Sequence, residues 1–270
     1  MGDGIPPLPR VSGVDALGHA RGRRLGEQRR PRGLRDFTAW GIGYTAQFYA
    51  YLFLLTDRYP DSHPLVLLGG AELEPPDAEG RPQIASTDDL HRSRATVFFR
   101  LPLAFPHIFW LLLWTVAALL AAIVNWLVTL IMGRPARPLA RFLSAYTRYS
   151  AHVSAFLYLI GNPFPGFVGA SGSYPVDVRI DPPGPQNRWI TGFKLVLAIP
   201  AVFLNSAIGW LLFIAAVFLW FTSLVLGRAP SGLQAMGVYA IGYSAQVNAY
   251  VFSLTDRYPH SSPLAVIRQA

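Results

Sequence analysis

The chain has no cysteine and a single lysine, Lys194, among its 270 residues. The first absence removes disulfides, thiolate metal sites, iron–sulfur clusters and cysteine nucleophiles together, and leaves the compartment open. Charge is scarce as well, at 14% of residues, and no acidic residue falls inside any of five long apolar segments. A proton relay through those segments therefore has no carboxylate to use. No GxSxG, GxGxxG, P-loop or HExxH pattern occurs, so the usual hydrolase, nucleotide-binding and zinc-protease frameworks are missing. The expectation is a protein that is not an enzyme and carries no cofactor.

What the chain does have is apolar length. Hydrophobic residues make up 52% and the mean hydropathy is +0.32, too apolar for an ordinary globular surface. The apolar segments lie at about 37–55, 98–132, 139–160, 190–226 and 233–255. A bilayer core of roughly 30 Å takes about 20 helical residues, so the first and last just suffice and the second and fourth have residues to spare. Pro106 and Pro200 stand about eight residues into those longer segments, which predicts a short interfacial lead-in before each proline and a spanning helix after it. Segment 139–160 carries Arg141, Arg148 and His152 off its apolar face. It reads either as a tilted span or as a helix lying in the interface.

The segments repeat. YTAQFYAYLFLLTDRYP (44–60) and YSAQVNAYVFSLTDRYP (243–259) agree at twelve of seventeen positions, and YSAHVSAFLYLIGNPFP (149–165) is a looser third copy. Residues 94–165 also align without a gap on 188–259, placing Arg100 on Lys194, Pro106 on Pro200, Trp126 on Trp220 and Gly133-Arg134 on Gly227-Arg228. The unit is two apolar helices joined by a Gly-Arg turn. The expected fold is an all-α membrane protein of tandem helical-hairpin repeats, with about five transmembrane helices and short extramembrane β-strands. Its parts are a disordered basic arm (1–30), a half repeat holding only the second helix (31–60), full repeats at 94–165 and 188–263, and a strand-bearing outer loop (166–187). The half repeat leads us to expect an amino-terminally truncated three-unit protein. In the loop, Val176, Val178 and Ile180 alternate with Asp177 and Arg179, predicting a strand that pairs near Leu65 to Leu68 as an exterior cap.

LAFPHIFW (103–110), LAIPAVFL (197–204), the Gly-Arg turns, the two LTDRYP copies and SYPVDVRIDPP (173–183) together resemble the bacterial membrane family catalogued as domain of unknown function 4389. The resemblance covers most of residues 30 to 263. It implies a membrane protein and supplies no activity. The middle copy departs from the pattern, with Gly161-Asn162-Pro163 in place of Thr-Asp-Arg.

Candidate functional residues fall in two groups. Gln47, His152 and Gln246 share one aligned position, placed near mid-bilayer if their helices span, where polar side chains need partners. They form either interhelical hydrogen bonds or a polar ring for a transported solute. Small pairs on the same helices (Ala46/Ala50, Ala151/Ala155, Ala245/Ala249) favour close packing. The interfacial helix-end motif comprises Asp57, Arg58, Tyr59, Pro60 and Asp256, Arg257, Tyr258, Pro259; it reads as a helix stop at the membrane surface. His107, Asn125 and Asn205 have no like residue in the other copy, which disfavours a metal site repeated in each unit. Eight arginines within residues 1–36 suit anionic lipid better than RNA. The overall expectation is a multi-pass protein of the bacterial cytoplasmic membrane, amino terminus inside. It would be an accessory or scaffold component with lipid and a membrane protein or a second copy as partners, and no nucleic acid. The alternative is a small-solute or lipid transporter.

Overall fold

Runs of apolar residues free of acids and interrupted by single prolines favour helix, and helix dominates the computed structural model, which describes residues 32–52 and 80–267. The elements are α1 (Arg32–Leu52), β1 (Gln83–Ser86), α2 (Arg94–Phe98), α3 (Arg100–Met132), α4 (Arg137–Leu157), β2 (Val176–Arg179), α5 (Arg188–Leu226), α6 (Ser231–Val251) and α7 (Pro263–Val266). Helices α1, α4 and α6 each have 21 residues, and their bounds coincide with the aligned copies. The basic arm, Asp57 to Pro60 and Leu65 to Leu68 lie outside the described residues.

Helix α3 forms a hairpin with α4, and α5 with α6. Each hairpin turns at a glycine because the helix ends in a left-handed residue: Gly133 has φ 72° and Gly227 φ 68°, a conformation that disfavours a side chain. Their N–H groups donate to Thr129 O and Ser223 O at 2.8 and 2.9 Å. The prolines do not break the long helices. α3 runs through Pro106 and α5 through Pro200 without interruption, correcting the expected lead-in and span. In the first hairpin the chain instead breaks at Phe99, between α2 and α3.

Packing sets up three layers. The short helices α4 and α6 pack on each other in the middle, α3 and α5 lie against them on one side, and the antiparallel pair β1–β2 lies on α6 and α4. β2 appears where the alternation places it, but its partner is Gln83–Ser86, in the register Ile84 opposite Val178. The core joins Ala155, Phe156 and Ile160 of the first hairpin, Tyr239, Tyr243 and Val247 of the second, and Ile84, Val176 and Val178 of the strands. Gly237 lets the hairpins close, because a Cβ there would overlap the Ile160 side chain.

Two described helices, α3 and α5, are long and apolar enough to cross a membrane; α1, α4 and α6 do not meet that test, so two of the five expected spans are supported. The physical reason lies in α4 and α6. Their polar residues, among them Ser144, Thr147, His152, Gln234 and Gln246, are buried by protein, so these helices form the interior. α4 thus fits neither a lipid-facing span nor a helix floating in the interface.

Ahead of each long helix the chain is tied to the opposite hairpin. The Arg92 N–H donates to Gly227 O at 2.9 Å and the Gln186 N–H to Gly133 O at 2.8 Å; 92 aligns with 186 and 133 with 227, so the two bonds are reciprocal. Arg92 is fully buried with Asp88, at 2.7 Å. Removing one partner of a buried pair strands the other charge. Asp88→Ala should cost about 3–5 kcal/mol and lower the thermal unfolding midpoint in detergent. Asp181→Ala, which removes the exposed partner of Arg179, should leave the midpoint in place.

Candidate functional site

The short helices end abruptly, and their ends collect the buried charge. After α4 the chain passes through Leu159 at φ 63°, and after α6 through Ser253 at φ 57°; carbonyls there have no helical partner. Arg92 donates to Leu159 O and Ile160 O at 3.0–3.2 Å. At the aligned place Gln186 Nε2 donates to Ser253 O at 2.7 Å. Further along the chain the pattern recurs: Arg100, the first residue of α3, donates to Gly161 O at 2.6 Å, and Lys194, inside α5, to Thr255 O at 2.9 Å. Each cation also lies over a ring, Arg100 over Phe156 at 4.4 Å and Lys194 over Tyr250 at 5.0 Å, again aligned positions. These side chains cap carbonyls and order aromatic rings. Sequence reading aligned Arg100 with Lys194 but gave neither a role, because the carbonyls they reach lie about 60 residues away in the chain.

The expected polar ring is drawn toward the strand layer. His152 Nε2 lies 2.9 Å from Asp177 Oδ1 on β2, and its ring stacks on Tyr174. Gln246 Nε2 donates to Pro82 O at 2.9 Å, and its Oε1 accepts from His260 N at 3.0 Å. Gln47 sits half-buried on α1. In the helix-end motif, Asp256 is half-buried, Arg257 and Tyr258 are exposed and Pro259 is buried. The motif borders a shallow cavity of about 170 Å³ shared with Pro182, Pro183 and Gly184. It is an anchoring point for the chain: Arg81 donates to Tyr258 O and Thr255 to Gly80 O.

The unmatched residues each make a contact that the other copy lacks. His107 Nδ1 shares a hydrogen bond with Tyr149 Oη at 2.8 Å, between the rings of Phe164 and Phe167. Asn125 donates to Phe252 O and accepts from the Ala136 N–H, locking the first turn to the end of α6. Asn205 accepts from Ser244 Oγ at 2.6 Å. Among the described residues no three His, Asp or Glu side chains converge as metal ligands.

Outside this polar interior, α3 and α5 present bare hydrocarbon. Leu112, Leu120 and Ile131 are 62–70% exposed, and Phe203 and Trp210 are 73% and 70% exposed. These features define a mostly helical protein with a polar, cross-braced interior and two membrane-length apolar helices on its outside. The chain belongs to the family described as domain of unknown function DUF4389, whose profile matches residues 94–168 and again residues 188–262. Neither curated proteins nor solved structures gave a match.

Asp177 offers a pH test of the strand contact. Partial burial pushes its carboxyl up, but hydrogen bonds from His152 and the Gly172 N–H outweigh this and hold it below the usual 3.8. A carboxyl held low stabilises the fold above its unfolded value and loses that contribution as pH falls through the lowered folded value. Asp177→Asn should therefore melt below the parent at about pH 6, with the gap closing once the pH drops well under about 4. A gap of constant size down to about pH 2.5 would contradict the assignment.

Proposed function

We propose that this is an integral membrane protein built of tandem helical hairpins, a non-enzymatic accessory or scaffold component of the bacterial cytoplasmic membrane. The observation that carries the reading is the exposure of α3 and α5. A soluble protein buries its most apolar helices, whereas these two leave most of their most apolar windows uncovered, at 11% and 28% buried. Exposed apolar surface on this scale marks a membrane or partner site. At 1.5 Å per residue the 33 and 39 residues of α3 and α5 reach about 50 and 58 Å, beyond the roughly 30 Å hydrocarbon core. Exposed charge on the strand layer, Arg179 with Asp181, keeps that flank in water. Excess length and a polar flank together call for a tilted passage.

A scaffold role follows from how the polar groups are used. Buried cations and amides are aimed at backbone carbonyls, which holds the hairpins together. His152 and Gln246 bond the strand layer, which weighs against the transporter reading built on them. The strand layer offers the surface for a membrane protein partner or a second copy.

A chain free of cysteine permits a direct test. Single cysteines at Gly184 and Ser231, exposed residues flanking α5, should react with an impermeant reagent from opposite sides of the membrane. Reaction from the same side would overturn the passage of α5. Leu120→Arg, in the outward face of α3, should disfavour insertion by about 2.5–3.5 kcal/mol and shift protein from the membrane pellet into aggregates. Purification in mild detergent should carry along a stoichiometric protein partner or a second copy, and recovery of a monomer alone would refute the scaffold role.

A further inference from the structure

The two hairpins are not equivalent where they meet the long helices. On the α3 side, Trp114, Tyr146 and Phe252 fill the space between α3 and the short helices, with Tyr146 5.8 Å from Phe252 and 6.5 Å from Trp114. The aligned residues on the α5 side are Ile208 for Trp114 and Ala240 for Tyr146. The aligned positions thus carry smaller groups, and on that side a cleft of about 340 Å³ lies between α4, α5 and α6; it is lined by Gly209, which aligns with Thr115, the hydroxyl that Tyr146 reaches on the α3 side. Its size lies within the range of small-ligand sites.

The cleft wall is polar but uncharged. α4 contributes Ser150 and Ser154, α6 contributes Ser244 and Asn248, and α5 contributes Asn205 and Ser206. On α3 the positions of Asn205 and Ser206 are held by Leu111 and Leu112, so the polar wall is particular to this side. The cleft lies halfway along α5, where an amide and a hydroxyl in an otherwise apolar helix need a partner. Ser244 donates to Asn205 Oδ1 at 2.6 Å, leaving the Asn205 amide N–H₂ to donate outward. The Ser154 hydroxyl and the Asn248 amide have no side-chain hydrogen bond among the described residues. Ser206 is exposed beside Phe203 on the outer face of α5, so the cleft communicates with the surface assigned above to lipid.

Building on the membrane reading, we infer that this cleft binds an uncharged polyhydroxyl group, such as the sugar or glycerol head of a neutral lipid. Serine hydroxyls and asparagine amides both donate and accept, which matches hydroxyls that do the same. A phosphate or ammonium head would enter with no counter-charge on the wall, and a desolvated, unpaired charge is strongly disfavoured. The one wall without side chains is Gly209, where an added Cβ would meet open space, so the cleft can be filled without displacing neighbours.

The test uses the full chain in nanodiscs carrying a photoactivatable glucosyl diacylglycerol, with the same probe on phosphatidylglycerol as the comparison. The glucosyl probe should crosslink to the segments around Ser150 to Ser154 and Asn205 to Gly209. Gly209→Leu should cut that label at least tenfold, and Ser154→Ala with Asn248→Leu should do the same without filling the space. Displacement of the label by free glucose would assign the same hydroxyl chemistry to a soluble source; persistence in excess glucose assigns it to lipid. Equal labelling by phosphatidylglycerol, crosslinks to a second copy in place of lipid, or label unaffected by both variants would overturn the inference. Failure of the chain to enter the discs at all would refute the membrane reading instead, and is seen before any crosslink is made.

Discussion

The carbonyl groups left free where α4 and α6 end are the constraint on which the arrangement turns. A helix end buried inside protein must find donors for its last carbonyls, and here left-handed residues at Leu159 and Ser253 turn those groups inward. The donors come from the segment entering the long helix of the same hairpin: Arg92 and Arg100 in one case, Gln186 and Lys194 in the other. A buried guanidinium or ammonium is tolerable only with acceptors around it. Each cation therefore fixes a carbonyl cluster, and each carbonyl cluster justifies a buried cation. Chemistry varies between the copies while the contact persists, since Gln186 stands where Arg92 stands and the companion acid Asp88 aligns with Pro182.

The same entering segments connect the hairpins to each other. Because Arg92 reaches Gly227 O and Gln186 reaches Gly133 O, the glycine turn of either hairpin is held by the other. The left-handed glycine thus does two things: it ends the long helix through its own N–H, and it offers a carbonyl to the neighbour. This reciprocity has the form of a two-fold contact within one chain, and departures from it stand out. Asn125 and the Trp114, Tyr146, Phe252 cluster belong to one side only; Asn205, Ser206 and Gly209 belong to the other.

Much of this order was legible in the sequence, though unevenly. The ungapped alignment located α3 to α6 and the turns at Gly133 and Gly227, and the repeated motif located α1, because helix and glycine placement are local properties. Alternation found β2 for the same reason. Its partner was not legible: Gln83–Ser86 is a four-residue strand in a stretch without alternation, and its pairing spans about 90 residues of chain. The polar positions were found but not their roles. Gln246 and His152 were visible as polar groups in apolar surroundings, whereas Pro82 and Asp177 come to them from distant loops. Hydropathy read along the chain measures apolarity and not whether lipid or protein supplies the apolar neighbours, so it gave α6 the same reading as α3 and α5.

That distinction separates the two kinds of helix. α3 and α5 are apolar over most of their length and turn a wide apolar face outward, with Arg100, His107, Asn125 and Lys194 buried on the inside, as suits a solvent that asks nothing of a side chain except that it not need hydrogen bonds. α4 and α6 carry hydroxyls, amides and a histidine, and they are the helices that protein encloses on most sides. Polar groups there find fixed partners, and small residues such as Ala155, Ala245 and Ala249 let backbones approach closely enough for those partners to reach. The division places specificity in the short helices and hydrophobic contact in the long ones. Where a long helix breaks the rule, as α5 does at Asn205 and Ser206, the polar groups line the cleft between α4, α5 and α6.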